Sequence, residues 1–469
     1  MSDLPEQQPL NPDEPDFEAM LDSLLQGADN PEMAKALSAM GIDKIDPAAV
    51  GMIGAQLRAM FSASGPAQPF NLELAMDVAR KTVATQGDSI VADPARRQIQ
   101  EAIHIAGLWL DDVTDMTAPH GEALAWSRAE WVDRTMPMWQ RLVEPVAAGV
   151  STAVVAAMRA QMRELGEGGS PVAIPGMPAG IDPGAFVGQM EPMLARMSGS
   201  MFGAQVGQAV GALAGDLVSG TEVGLPLVPD NGIALLPANI DAFAEGLEVD
   251  LAEVRLYLAV RESARVRLFA EVAWLGPQLV AAVQAYARDI SIDTEGIESA
   301  LQSIDPTDPT AMQSALSSSL FTPEPSPAQR SALTLLETYL ALVEGWVDVV
   351  AARAASKHLP NTAALGEAVR RRRASGGPAE RVFSQLVGLE LRPRRLRDAA
   401  NLWAALEAKG GPAARDGAWA HPDVAPTAAD LDDPLGFVDR FTSGDTRDEM
   451  DEALDALLSE GDSNKGDSS

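Results

Sequence analysis

Apolar residues recur at helical spacing through most of the chain between residues 69 and 442. The segment NLELAMDVARKTVA predicts one amphipathic helix and PARRQIQEAIHIAGLWLDDVT a second. A third starts near Ser127, because Ser127-Arg128-Ala129-Glu130 has the form of a capping box ahead of an apolar run. Trp126, Trp131 and Trp139 read as core anchors rather than as ligand stackers. A separate helix is expected from Val143 to about Leu165, and a Gly/Pro-rich loop over residues 166–184.

The next helical stretch, MSGSMFGAQVGQAVGALAGDLVSG, carries Gly199, Gly203, Gly207, Gly211 and Gly215 at a spacing of four. That places the five on one slowly drifting face, where a second helix can approach closely. The partner is either another helix of the same chain or a second copy of it. Gln205, Gln208 and Asp216 interrupt the apolar surface and argue against a membrane span. GLPLVPDNGIALLPANIDAFAEGL then predicts a loop with a short extended piece, followed by a helix carrying RESAR. After an acidic, Pro-rich linker, further helices are expected from about Ser326, from Thr362 to Ala374, from Pro378 to Leu389 and from Pro393 to Lys409. The fold class is mainly α with few or no strands.

Composition supports that class, with 46% apolar residues and only 5% aromatic ones. The net charge is −32, and much of the excess lies at the two ends. The first 34 residues contain no Lys or Arg. Residues 1–68 are expected to form an acidic tail with short amphipathic helices, one placing Phe17, Met20, Leu21, Leu24 and Leu25 on a single face. Residues 443–469 are expected to form an acidic disordered tail. The acidic field makes nucleic acid and anionic membrane poor partners. There is no cysteine, hence no thiolate metal site. The N-terminal residues have neither the basic nor the apolar segment of a secretory signal, so a cytoplasmic protein is expected.

Candidate chemistry centres on RESARVRLF, residues 261–269. A zinc peptidase places His-Glu-x-x-His on a helix; both imidazoles ligate zinc, and the intervening Glu activates water. Here Arg261 and Arg265 stand at the histidine positions and Glu262 at the general-base position. Downstream, LVEGWVDVV carries Glu344 and Asp348 four residues apart. The histidines His104, His120, His358 and His421 are scattered and form no ligand pair. No G-x-S-x-G elbow or P-loop is present. A basic stretch, Arg370 to Arg373 with Arg392, Arg394, Arg395 and Arg397, is either an anion-binding patch or a solvated face pairing with acidic neighbours.

Several long blocks together resemble one family: GAQVGQAVGALAGDLVSGTEVGLPLVP, LLPANIDAFAEGL, the RESAR helix, LVEGWVDVV and ERVFSQLVGLELRPRRLRDAANLWAAL. They are similar to the zincin-like hydrolases of actinobacteria, often labelled zinc-dependent metalloproteases, over roughly residues 70–440. The resemblance implies a zincin-like helical domain over 69–442. It also implies a general base at Glu262 and metal ligands at the positions of Arg261, Arg265 and Glu344. Arg has no lone pair for a metal, so two of the three ligand positions fail. Arg261 and Arg265 are therefore expected to form ion pairs with Glu344, Asp348 or Glu262.

Two readings follow. One is a non-catalytic pseudo-metallopeptidase that binds no cofactor and acts on an unidentified protein partner. The other is an active hydrolase with unconventional ligands, retaining zinc, with Glu262 as base and Glu344 as ligand. A homo-oligomer is compatible with either.

Overall fold

The computed structural model describes residues 69–167, 183–288, 326–374 and 395–443. The chain divides into two units, Met1–Pro66 and Ala67–Ser469, and every described residue lies in the second. Both tails, the helix expected at Pro378–Leu389 and the arginines Arg392 and Arg394 fall outside the described residues. Twelve helices and two three-residue strands make up the described part.

Helix α1 (Leu72–Gln86) is capped by the Asn71 side chain, which accepts from Leu74 N at 3.1 Å. Helix α2 spans Asp93–Asp111. Strand β1 (Ala123–Ala125) precedes α3 (Arg128–Glu167), which begins at the expected box: Ser127 N donates to Glu130 Oε2 at 2.7 Å, and Glu130 N to Ser127 Oγ at 3.2 Å. Trp126, Trp131 and Trp139 are all buried in the core.

Contrary to the expected break before Val143, α3 is one helix of 40 residues with Pro137 and Pro145 inside it. A proline removes the bond to the carbonyl four residues back. For Pro145 that carbonyl is Arg141 O, and it accepts instead from Gln284 Nε2 at 3.0 Å. A distant side chain supplies the missing donor, so the helix continues.

Helix α4 (Pro183–Asp216) carries the glycine stripe. Its partner is α1 of the same chain. Gly199 O accepts from Asn71 N at 3.2 Å. A Cβ on Gly203 would lie 2.6 Å from Asn71 O, on Gly207 2.3 Å from Ala75 O, and on Gly211 2.8 Å from Ala79 O. Gly215 meets the Gln86 side chain at the far end of α1. The stripe is thus used within the chain, and α1 runs backbone-close along it.

Strand β2 (Ile233–Leu235) pairs in parallel with β1, Leu124 opposite Ala234. On its other side lies residue 219, in an isolated antiparallel bridge with Leu235. After α5 (Pro237–Ala244), α6 (Leu251–Glu271) and α7 (Leu275–Arg288) form a bent pair. Helix α8 (Pro327–Ser356) opens with a second capping box, Ser326 with Gln329. Helix α9 (Thr362–Ala374) follows, then α10 (Leu396–Gly417), which runs beyond the expected Lys409 and bends at Gly411, where φ is 77°. Short helices α11 (Ala428–Asp432) and α12 (Pro434–Ser443) close the described chain.

Helix α6 is the centre of the molecule. Every residue from Tyr257 to Leu268 is buried, which is the signature of a helix surrounded by others rather than lying on a surface. It packs against α2, α8 and β2. Among the described residues no single helix is long and apolar enough to cross a membrane.

The glycine stripe yields a direct test. Gly207→Ala gains about 1 kcal/mol of helix propensity but forces α1 and α4 apart, so a net loss of about 1–3 kcal/mol is expected in urea unfolding. Gly149 on α3 faces open space. Gly149→Ala should therefore stabilise, by about 1 kcal/mol at most. Equal effects of the two substitutions would contradict the close α1–α4 contact.

A buried arginine–carboxylate cluster as the candidate functional site

Two helices build the site. Helix α6 contributes Arg261, Glu262 and Arg265; helix α8 contributes Glu344 and Asp348. A spacing of four puts Arg261 and Arg265 on one face of α6, and Glu344 and Asp348 on one face of α8. The two faces meet. Gly345 lets α10 approach the back of α8 here, since a Cβ would stand 2.7 Å from Ala399 Cβ.

The structure brings all five of these residues together. Arg261 donates from Nη1 to Asp348 Oδ1 at 2.8 Å and from Nη2 to Glu344 Oε2 at 3.2 Å. Arg265 donates from Nε to Glu344 Oε1 at 2.9 Å and from Nη2 to Glu344 Oε2 at 3.3 Å. Its Nη1 reaches Glu262 Oε2 at 2.6 Å. Arg265 thus touches both glutamates.

Glu262 points into a loop that follows α4. Its Oε2 also accepts from Ser219 Oγ at 2.7 Å, and its Oε1 accepts from Thr221 N at 2.8 Å and Thr221 Oγ1 at 2.9 Å. That loop is fixed from two sides. Gly220 N and Leu236 N tie it to the β2 segment, donating to Ala234 O and Val218 O. Trp131 Nε1 donates to Gly220 O at 3.1 Å.

A third wall comes from α9. Arg373 Nη2 lies 2.9 Å from Glu344 Oε1 and also donates to Glu222 O at 2.9 Å. Arg370 Nη1 reaches Asp348 Oδ2 at 2.9 Å. Arg372 Nη1 pairs with Glu222 Oε1 at 2.9 Å, and its guanidinium lies 5.4 Å from the centre of the Phe243 ring. The basic stretch is therefore no free anion patch at Arg370, Arg372 and Arg373. Arg371 is the most exposed of the four and pairs with Glu367, as Arg370 also does. Arg395 pairs with Asp432, away from the cluster.

Burial sets the electrostatics. Glu262 is 0% exposed and Glu344 4%. Burial pushes the Glu344 carboxyl up, but Arg265, Arg373 and Arg261 outweigh it and hold the group at about 2. Burial also pushes Glu262 up, and here Arg265, Ser219 and Thr221 offset only part of it. Burial works against the charge of Arg261; Tyr257, Asp348 and Glu344 together more than restore it. Arg373 is held below the usual value by burial, with Arg265 and Arg261 adding repulsion. Two buried guanidiniums, Arg261 and Arg265, and the half-buried Arg373 face the buried Glu262 and Glu344 and the half-buried Asp348.

A zinc ion does not fit this donor set. Arginine offers no lone pair. Glu344 already accepts from three guanidiniums, and Glu262 from a guanidinium, two hydroxyls and a backbone N–H. Among the described residues no three His, Asp or Glu side chains are arranged to hold a metal. The four histidines are all exposed and apart from the cluster; His358 stacks on Trp109 with ring centres 4.4 Å apart.

Ser219, Thr221 and Tyr257 were not among the candidate residues, and Arg370, Arg372 and Arg373 stood as either an anion-binding patch or a solvated face with acidic neighbours, without being placed here. Tyr257 was within reach, one turn before Arg261 on the same helix. Ser219 and Thr221 carry no local signal.

Glu344 makes stability depend on acid in a defined sense. Its carboxyl is held near 2 in the fold, against 4.5 when unperturbed. Its contribution, about 3 kcal/mol, is therefore present above pH 4.5 and lost as pH falls towards 2. Glu262, raised instead, has the opposite sign: its penalty is present at neutral pH and fades on acidification. Urea unfolding of the parent chain should lose stability between about pH 4.5 and 2, and Glu344→Gln should flatten that slope. An unchanged slope would remove Glu344 as its source.

The chain is similar in fold to a Chloroflexus aurantiacus protein, whose crystal structure is described as a "putative hydrolase with a novel fold". The TM-score is 0.54 at 16% identity, covering 81% of this chain and 100% of that one. No curated protein sequence matches significantly. Residues 70–438 match the family described as Zincin-like metallopeptidase. That span includes both helices of the cluster, and the chain belongs to the zincin-like metallopeptidase family.

Proposed function

We propose that this chain is a non-catalytic member of its family that acts through contacts with a protein partner. The observation that carries the reading is Arg265, whose guanidinium is bonded to both Glu262 and Glu344. A general base needs a free lone pair within reach of a water, and a metal ligand needs one directed at the ion. Both glutamates have theirs engaged by N–H and O–H donors. Both glutamates are also buried. Two clefts among the described residues, one of about 620 Å³ beside Leu335 and Pro426 and one of about 480 Å³ beside Trp274 and Trp419, are lined by other residues. Substrate entering either would not meet Glu262.

Elemental analysis of the purified full chain tests the reading, together with hydrolysis of a mixed peptide library. Zinc well below one equivalent is expected, and any background hydrolysis should be the same for Glu262→Gln. Stoichiometric zinc that disappears in Glu344→Ala, with peptide hydrolysis lost in Glu262→Gln, would overturn it in favour of an active hydrolase with unconventional ligands.

A further inference from the structure

In a zinc site of the His-Glu-x-x-His type, the ion carries two positive charges and its imidazole ligands are neutral. Two glutamates, one base and one ligand, bring that assembly to zero. In this chain the glutamates are Glu262 and Glu344, and Arg261 and Arg265 supply two positive charges. The sum is again zero. The two arginines come from one face of α6, and both end on Glu344. Arg265 also spans to Glu262.

We infer that Arg261 and Arg265 together replace a divalent cation and two neutral imidazoles at equal charge, and so hold α6, α8 and the 219–221 loop together without a metal. Around this core each added charge again meets its opposite: Asp348 lies between Arg261 and the exposed Arg370, and Arg373 lies beside Glu344. A charge this deeply buried cannot be removed alone without stranding its partner, whereas removing a matched pair leaves no net charge behind. The arginines are then structural ligands of the glutamates, and their number is set by the charge they must balance.

This inference rests on the non-catalytic reading for the parent chain, and its test keeps the two apart. The first arm needs no metal. Urea midpoints are compared for Arg265→Gln, Glu262→Gln and the double variant, all in the full chain. The double variant should unfold at higher urea than Arg265→Gln alone, giving a favourable coupling in the cycle. Simple addition of the two losses would overturn the charge balance.

The second arm is Arg261→His/Arg265→His. Without metal its midpoint should lie well below that of the parent. One equivalent of Zn²⁺ should bind and restore much of the loss, and adding Glu344→Ala should abolish both effects. The parent chain should unfold at the same urea with Zn²⁺ or with a chelator. A double-histidine chain indifferent to zinc, folded or unfolded, would overturn the equivalence while leaving the non-catalytic reading intact. Stoichiometric zinc in the parent would instead defeat that reading.

Discussion

A charge taken out of water must meet its opposite, and this requirement organises the middle of the molecule. Helix α6 is buried on all sides yet carries Arg261, Glu262, Arg265 and Arg267 in its buried stretch. Each has to find a partner inside the protein. Arg267 finds Asp111 and the carbonyls of Gly107 and Met116, which fastens α6 to the end of α2. Arg261 and Arg265 fasten it to α8. Glu262 fastens it to the loop after α4. The charges on one helix therefore fasten it to three other parts of the chain.

The same rule recurs beside the same segment of α8. Arg415 is fully buried and donates to Glu407, Asp416 and Val113 O. Asp416 in turn accepts from Trp346 Nε1 and Thr114 Oγ1. Trp346 lies two residues beyond Glu344, so both ion clusters pull on one segment of α8. Between them Gly345 admits α10. The position of Glu344 is thus set by packing and charge together, with little freedom for a side chain to swing out and accept a substrate.

Close packing elsewhere relies on what side chains leave out. The glycines of α4 allow α1 to lie against its backbone, where any Cβ would overlap a carbonyl oxygen. In α3 the opposite problem, a proline that strands a carbonyl, is solved by Gln284 from α7. Both helices of the buried cluster lie within the span that matches the zincin-like family.

Local patterns determined the helices. The boxes at Ser127 and Ser326, the run from Thr362 to Ala374 and the helical period of α1 and α2 are short-range effects, readable from neighbours a few residues apart. The meeting of Arg261 and Arg265 with Glu344 and Asp348 was expected only through the family resemblance, because carboxylates four residues apart are common on helices and carry no partner information by themselves. The continuity of α3 through Pro145 was not, since the compensating donor lies 139 positions away in α7. Nor were Ser219, Thr221 and Arg373. Their roles come from distances across 41 to 43 positions for the loop and from α9 folding back over α8. Only the tertiary structure decides which lone pairs are spent, because a hydrogen-bond partner distant in sequence leaves no period or motif at either end. That is why the sequence, read with its family resemblance, singled out Arg261, Glu262, Arg265, Glu344 and Asp348, and only the fold determined that guanidiniums, hydroxyls and a backbone amide occupy the two glutamates.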